Sequence, residues 1–303
     1  MGSAGVSLGF LGITFCASPE KSENISRNTP VVKSGESSVS LVPGNDRREI
    51  ICEALKPFEK EIQEEIQNKQ IIIKLNCVRP NTFVVGTHKD ALRGVLDFLK
   101  PIYDRPIIVG ESTADMVDAR GIYEHFGFLS FEKDYNIKFV ELNDYPVSSE
   151  WILDANMYPV PIRILTPFVD PNVYVISLAK LKTHNTVVAT LTLKNVVMGA
   201  PQKILSQNIN DKSKVHATSR NNRSPKMLNF NLFRLAHSVY PDLCVIDGFE
   251  GLQGDGPNEG TAVESRVALA GTDFVAVDRI GLELMGIPWE NVGYLQYCAT
   301  GGL

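Results

Sequence analysis

The chain has 303 residues, of which 44% are hydrophobic and 21% are charged, and this composition excludes disorder, collagen and coiled coil as overall descriptions. The formal net charge of −5 excludes a global positive field that would hold nucleic acid or an anionic membrane, so any anion site must be local. The five cysteines lie far apart and form no Cys-x-x-Cys pair, so the chain carries no iron–sulfur or zinc motif of its own.

Residues 1–45 are predicted to be a signal-like apolar run and a flexible linker. The uncharged run at 6–17 is too short for a transmembrane span, and it has the length of a signal-peptide core. The residues after it are rich in Ser, Asn, Pro and Gly, which is typical of a linker. A basic segment before the run is missing. Two interpretations stay open: a twin-arginine-like export signal whose start lies upstream of Met1, and a cytoplasmic leader.

Residues 46–165 are predicted to form an N-terminal α/β lobe. Apolar residues at spacings of three and four predict a first helix, which Pro57 kinks or divides. Thr87 and Asp90 are predicted to cap the second helix. The predicted elements are, in order, a helix, a strand, a helix and two strands over residues 46–67, 71–73, 92–99, 107–109 and 137–142.

Residues 166–303 are predicted to form a C-terminal α/β lobe. We expect this lobe to be truncated at its C-terminus, Leu303. Its predicted elements are a strand at 173–176, a long polar loop, a helix containing Leu228 to Val239, strands at 243–246 and 267–270, and a helix from Asp273. Continuous apolar strands that alternate with helices predict an α/β fold with a mostly parallel sheet, or sheets, flanked by helices. The sequence therefore predicts two lobes around a cleft.

Polar clusters follow four of the predicted strands. They contain the candidate substrate-binding residues Lys74 and Asn76, the pair Glu111 and Ser112, the segment 180–184, and the residues from Asp247 onward. In parallel α/β sheets, ligands bind beyond the carboxyl ends of the strands. This shared position predicts a ligand site.

The segment 180–184 reads Lys-Leu-Lys-Thr-His, and an extended backbone would place Lys180, Lys182 and His184 on one face. Such a row suits a carboxylate or phosphate, with Lys180 in substrate binding. Crowding also suits Lys182 and His184 to proton transfer, so we assign them as the catalytic candidates. The alternative interpretation is a solvated edge strand.

A local reversal of charge distinguishes residues 194–226, which contain seven basic residues and one acid. This segment is interpreted as a long loop that closes over an anionic ligand, with Lys194, Asn195 and His216 as substrate-binding candidates. The alternative is an exposed, mobile basic loop. Nucleic-acid binding is disfavoured because the segment lacks aromatic residues for base stacking.

The loop predicted at 247–260 concentrates five glycines and four acids after a buried strand. Its Asp247 and Asp255 are candidate ligands for Mg²⁺ or Ca²⁺, or ion-pair partners of the Lys/His row. The loop matches neither an EF-hand nor a phosphate-binding loop, and a plain structural turn is the alternative.

The motifs occur in a fixed order along the chain: Lys74-Leu75-Asn76, Gly110-Glu111-Ser112, Leu181-Lys182-Thr183-His184, Leu193-Lys194-Asn195 with Gly199, His216, Asp247-Gly248 through Gly254-Asp255-Gly256-Pro257, and Ala276-Val277-Asp278 through Leu284-Met285-Gly286. In this order, from about residue 70 to 303, they resemble the domain of unknown function 362 family. Leu75 stands where family members often have Pro. The resemblance implies a link to redox metabolism, since members are often fused to ferredoxin-like iron–sulfur domains and some carry twin-arginine signals.

Two functional hypotheses follow. The first is an enzyme that binds a small anionic substrate in an inter-lobe cleft, with a divalent metal as the candidate cofactor and no cofactor identified. The second is a non-catalytic accessory module that docks an iron–sulfur protein, because this chain lacks the cysteine ligands for a cluster of its own. The second hypothesis predicts an exposed apolar patch in place of a closed cleft.

Overall fold

A computed structural model describes residues 26–30, 36–77, 85–112, 119–217 and 224–303. The signal-like run at 6–17 lies outside the described residues. The strands are β1 (Ser40–Pro43), β2 (Gln70–Lys74), β3 (Ile107–Glu111), β4 (Ile137–Glu141), β5 (Val147–Leu153), β6 (Pro159–Leu165), β7 (Val173–His184), β8 (Val188–Thr190), β9 (Lys203–Ile204), β10 (Ile209–Asn210), β11 (Leu243–Gln253) and β12 (Thr261–Gly271). The α-helices are α1 (Arg47–Leu55), α2 (Glu59–Ile66), α3 (Lys89–Leu99), α4 (Ala119–His125), α5 (Thr192–Gly199), α6 (Asp211–Val215), α7 (Pro225–Ala236), α8 (Phe274–Leu284) and α9 (Gly293–Gly301).

One large mixed sheet organises the fold. Its strands lie in the order β1-β12-β11-β7-β2-β3-β4, and β8 pairs with β7. The pairs β11–β7, β7–β2, β2–β3 and β3–β4 are parallel, whereas β1, β12 and β8 join antiparallel. The prediction of an α/β fold with a mostly parallel sheet flanked by helices is therefore confirmed.

Both faces of the sheet are covered, as the continuous apolar strands predicted. Along β2, Ile71 and Ile73 belong to one apolar cluster with α1, α2 and α3. Ile72 points to the other face and packs in a second cluster with α5, α7, α8 and α9. Since side chains alternate along a strand, each buried isoleucine contributes to the core on its own face, worth about 2 kcal/mol relative to exposure.

The sheet runs across the predicted lobe boundary at residue 165. Strand β2, from the first half, pairs in parallel with β7, from the second, and Ile72 lies opposite Val175. Two lobes around a cleft are not shown by this arrangement, and the division of the chain at 165 stays a prediction. The described residues include no helix that is both long and apolar enough to cross a membrane.

Several local predictions need correction. The N-cap of α3 is His88, whose Nδ1 accepts from the Asp90 amide, because Thr87 is turned inward to the Asn76 amide. The predicted loop at 194–226 begins inside α5 and contains α6, where Asn210 caps the helix. The first half of the predicted glycine-rich loop is strand, since β11 continues to Gln253 and forms a hairpin with β12.

Part of the predicted linker is folded. Residues 40–43 form β1, which pairs with β12 at the edge of the sheet. Arg27 is buried, forms an ion pair with Asp242 and stacks on the Tyr240 ring. The sequence pattern missed these contacts because their partners lie more than 200 residues away along the chain.

Candidate functional site

A cavity of about 490 Å³ opens beyond the carboxyl ends of the central parallel strands. Strands β2, β3 and β7 end beside it, and helices α5 and α6 contribute another part of the wall. This is the position at which α/β sheets bind ligands. Nine of the sequence-predicted site residues line it, namely Lys74, Asn76, Glu111, Ser112, Lys182, His184, Lys194, Asn195 and His216.

The Lys/His row lies on β7, as its spacing predicted, but its members have different surroundings. Lys182 is fully buried, and its Nζ donates to the carbonyl of Val85 at 2.8 Å. The Nδ1 of His184 accepts from the amides of Thr186 and Val187, so the proton of the neutral ring is on Nε2. Lys182 and His184 line the cavity, and Lys180 does not.

Glu111 is the carboxylate among the described residues that line the cavity. One of its oxygens accepts from the Cys77 amide at 2.8 Å and the other from the Ser112 amide at 2.9 Å. The carboxylate also forms an ion pair with Lys74. Glu111 therefore links the ends of β2 and β3, and its negative charge compensates the positive charge of one lysine of the cavity.

A chain of amide hydrogen bonds fixes the floor of the cavity. Asn195 donates to the Ser177 hydroxyl and the Lys74 carbonyl, and its Oδ1 accepts from Nδ2 of Asn76 at 2.8 Å. This leaves the buried Oδ1 of Asn76 without a hydrogen-bond partner among the described residues. Leaving such a buried acceptor unpaired costs about 1–3 kcal/mol.

Lys212 was not singled out by the sequence, although it lies in the basic segment. Its buried Nζ donates to the Ser112 carbonyl at 2.5 Å, the Ser112 hydroxyl at 2.9 Å and the Met198 carbonyl at 3.2 Å. The carbonyls of Met198 and Gly199 lie at the carboxyl end of α5, where a cation is favoured by the helix dipole. The feature that distinguishes Lys212 is its position next to a helix cap. This feature can be recognised only when the fold is known.

Helix α5 is held by a residue from another helix. Asp278, inside α8, is fully buried and accepts from the Thr192 amide at 2.8 Å, the Thr192 hydroxyl at 2.5 Å and the Leu193 amide at 3.1 Å. It thereby caps α5, which carries Lys194 and Asn195 into the cavity. Burial raises the pKa of Asp278 to about 7, although these three hydrogen bonds oppose the rise.

Among the described residues that line the cavity, Glu111 is the single carboxylate and four residues are buried lysines. The lysines are Lys74, Lys182, Lys194 and Lys212. Burial lowers the pKa of Lys182 to about 7, and the nearby charge of Lys194 lowers it further. Burial likewise lowers the pKa of Lys212 to about 7, and Lys74 is the charge that adds most to this effect. The cations therefore form two neighbouring pairs, Lys182 with Lys194 and Lys74 with Lys212.

The remaining predicted residues lie elsewhere. Lys180 is buried and pairs with Asp247 at 3.0 Å, which is the ion-pair alternative given for Asp247. Asp247 also faces Arg47, with its Oδ1 3.3 Å from Nε. Asp255 is exposed on the β11–β12 hairpin, whose Pro257 and Asn258 do reach the cavity. Within the described ranges no three His, Cys, Asp or Glu side chains are grouped to hold a metal, and the metal assignment stays a prediction.

Comparison with known proteins identifies the family. A family model described as "Domain of unknown function (DUF362)" matches residues 71–283. The chain belongs to this family. The DUF362 match covers all the predicted site residues, and its name assigns no chemistry.

A thylakoid-associated protein of Synechocystis sp. is 26% identical to this DUF362 chain over 219 residues, which are 71% of the chain. The match spans 63% of that relative's own length. A crystal structure of a Thermotoga maritima protein covers 81% of the chain and 61% of its own, with a TM-score of 0.44 and 12% identity.

Proposed function

We propose that the protein is an enzyme whose cavity binds a small substrate carrying at least two negative charges. The observation that supports this proposal is the excess of buried lysines over carboxylates among the described residues of the cavity wall. Moving an ammonium group from water to a protein interior costs several kcal/mol unless a counter-charge is supplied. A bound dianion supplies that counter-charge.

Two side chains suit the chemistry of such an enzyme. The amine of Lys182 has a pKa of about 7, so it can give or take a proton near neutral pH. His184 presents Nε2–H as a donor, because Nδ1 is occupied by two backbone amides. We therefore assign proton transfer to Lys182 and substrate orientation to His184.

Other parts of the family resemblance stay predictions. The link to redox metabolism rests on the fusions of other members to iron–sulfur domains. A divalent metal would have Asp247 and Asp255 as its predicted ligands, but Asp247 is already paired with Lys180. The proton transfer and substrate orientation proposed for Lys182 and His184 need only side chains of the cavity.

Anion binding by the full chain tests the proposal. Thermal unfolding is measured with phosphate, pyrophosphate, succinate and citrate, and a ligand at 100 times its Kd should add about 2.7 kcal/mol of stability. Lys194→Met should weaken the binding about tenfold or more, because it removes a buried cation of the cavity. Lys60→Met is the matched control, since the Lys60 side chain is 90% exposed.

The pH dependence adds an independent readout. Because a bound anion favours protonated lysines, its affinity should fall as the pH rises through 7, the pKa of Lys182 and Lys212. Titration calorimetry in two buffers of different ionisation enthalpy should show proton uptake at pH 7.5. The proposal is rejected if no dianion stabilises the chain, or if Lys194→Met binds as the parent does.

One observation favours the accessory-module hypothesis as a second candidate. The β5–β6 hairpin exposes Trp151 at 44%, Met157 at 69% and Tyr158 at 67%, which is the kind of apolar patch that it requires. A relative is named as thylakoid-associated, and association through this hairpin would suit such a name. Calorimetry with a purified ferredoxin would support this candidate if binding is lost in Trp151→Ser and kept in Lys194→Met.

A further inference from the structure

We propose that Lys182 is a nucleophile that adds to the carbonyl carbon of an anionic aldehyde or ketone and holds it as an imine. This inference rests on the proposed function, since the other lysines of the cavity would bind the anionic group. It adds a substrate class, namely carbonyl compounds with a carboxylate or phosphate group.

The described surroundings of Lys182 differ from those of the other buried lysines. Lys180 and Lys74 are neutralised by carboxylates, Asp247 and Glu111 respectively. Lys212 donates to carbonyl and hydroxyl oxygens of two elements. Among the described residues, Lys182 has a single hydrogen bond, to a backbone carbonyl, and no carboxylate lies within ion-pair distance of it.

These contacts leave reactive capacity on the amine. A neutral amine has two hydrogens and one lone pair, and the Val85 carbonyl accepts one hydrogen. The lone pair is then available on the side chain that lines the cavity. A lysine beside another cation and shielded from water is an activated nucleophile, and Lys194 supplies that cation.

The fraction of neutral amine makes the reaction feasible at neutral pH. With a pKa of about 7, Lys182 is half neutral at pH 7. An ordinary lysine with a pKa of about 10.4 is neutral in roughly one molecule in 2,500 at the same pH. The concentration of nucleophile is therefore raised about a thousandfold by burial and by Lys194.

The step needs no oxidant or reductant. Nζ of Lys182 attacks the carbonyl carbon, a C–N bond forms, and the carbonyl oxygen takes a proton to give a carbinolamine. The C–O bond then breaks and the oxygen leaves as water with a proton from nitrogen, which leaves a C=N bond. His184 can supply a hydrogen bond to the departing oxygen through Nε2–H.

Reduction with sodium borohydride tests the imine. The full chain is incubated at pH 7 with 2-oxoglutarate or dihydroxyacetone phosphate, reduced, digested and mapped by mass spectrometry. We expect a stable secondary amine on Lys182, at about ten times the level on any other lysine. Lysines with an ordinary pKa are almost wholly protonated at pH 7, and Lys212, whose pKa is also about 7, is held by the oxygens of Ser112, Met198 and Gly199. The 2-oxoglutarate and phosphate arms show which anionic group is accepted, and Lys182→Arg should abolish the label.

Binding measured in parallel separates the two proposals. The compound 2-hydroxyglutarate has the same charges without the carbonyl, so it should stabilise the chain and leave no label. Anion binding without a label on Lys182, or a label on other lysines alone, overturns the imine and leaves the proposed function intact. Absence of both binding and label rejects both proposals. Mapping on the parent chain makes the test independent of whether the variant folds.

Discussion

Two lysines on the same face of β7 should have opposite effects on stability when each is replaced by methionine. Lys182 and Lys180 are two residues apart and both buried, but among the described residues only Lys180 has a carboxylate partner. Lys182→Met should stabilise the chain at pH 7, and Lys180→Met should destabilise it. The pair therefore tests whether the cavity is maintained at a cost in stability.

The magnitude for Lys182 follows from its pKa. Lowering the pKa from 10.5 in the unfolded chain to about 7 in the folded one means that the unfolded state binds more protons between these values. Stability from this group therefore rises with pH from 7 toward 10.5. At about 1.4 kcal/mol per pH unit, its cost is about 4 kcal/mol at pH 7 and about 1 kcal/mol at pH 9.5. Methionine removes this cost but leaves the Val85 carbonyl unpaired, which costs about 1 kcal/mol.

Urea unfolding followed by far-ultraviolet circular dichroism measures both effects. Lys182→Met should be more stable than the parent by about 3 kcal/mol at pH 7 and about equal to it at pH 9.5. Lys180→Met should lose about 3–5 kcal/mol at pH 7, because Asp247 then stays buried without its nearest cation.

Two results would refute this reasoning. If Lys182→Met destabilises the chain as much as Lys180→Met does, the amine is structurally compensated and the excess charge of the cavity is not real. If its gain is the same at pH 7 and pH 9.5, the effect comes from packing and not from ionisation. The same variant should also lose any imine, so that gain in stability and loss of chemistry occur together.

The remaining predictions concern the supports of the cavity. Asp278→Ala should lower stability by about 3 kcal/mol and weaken anion binding, because three donors of α5 lose their acceptor. Its control is Asp273→Ala, which removes an ordinary N-cap and should cost about 1 kcal/mol of stability and leave anion binding unchanged. Gly199→Ala should weaken anion binding because its Cβ would overlap Lys74, whereas Gly286→Ala meets nothing within 4 Å and should affect only stability. Urea unfolding and calorimetry check both pairs, and equal binding losses in a variant and its control would contradict them.

The parts of the fold that the sequence predicts are those with local periodicity. Ile71 to Ile73 indicate a buried strand, and the first helix is divided at Pro57, where a short 3₁₀ turn separates α1 from α2. The alternation of Lys182 and His184 places them on one face because side-chain direction in a strand has period two. Strand ends then predict which polar residues come near one another.

What the sequence could not predict depends on contacts between distant segments. Lys182 and Lys180 are equivalent in the pattern, and only the pairing of β7 with β11 brings Asp247 to Lys180. In the sequence, Asp278 looks like an ordinary residue near the start of a helix. In the fold, its carboxylate accepts hydrogen bonds from another helix, α5. Lys212 is one of seven basic residues in its segment, and neither spacing nor charge distinguishes it from the exposed ones.

The pairing of the cations also limits where a substrate can place its charges. An anionic group bound against Lys182 would raise the pKa of this amine and remove the neutral form that reacts. An anionic group bound beside Lys212 would have a smaller effect, since the cations that lower the pKa of Lys182 are Lys194 and Lys180. We therefore expect an imine-forming substrate to carry its main charge beside Lys212 and its carbonyl beside Lys182. This polarity follows from the strand order, which places β7 beside β2 and leaves β3 on the far side.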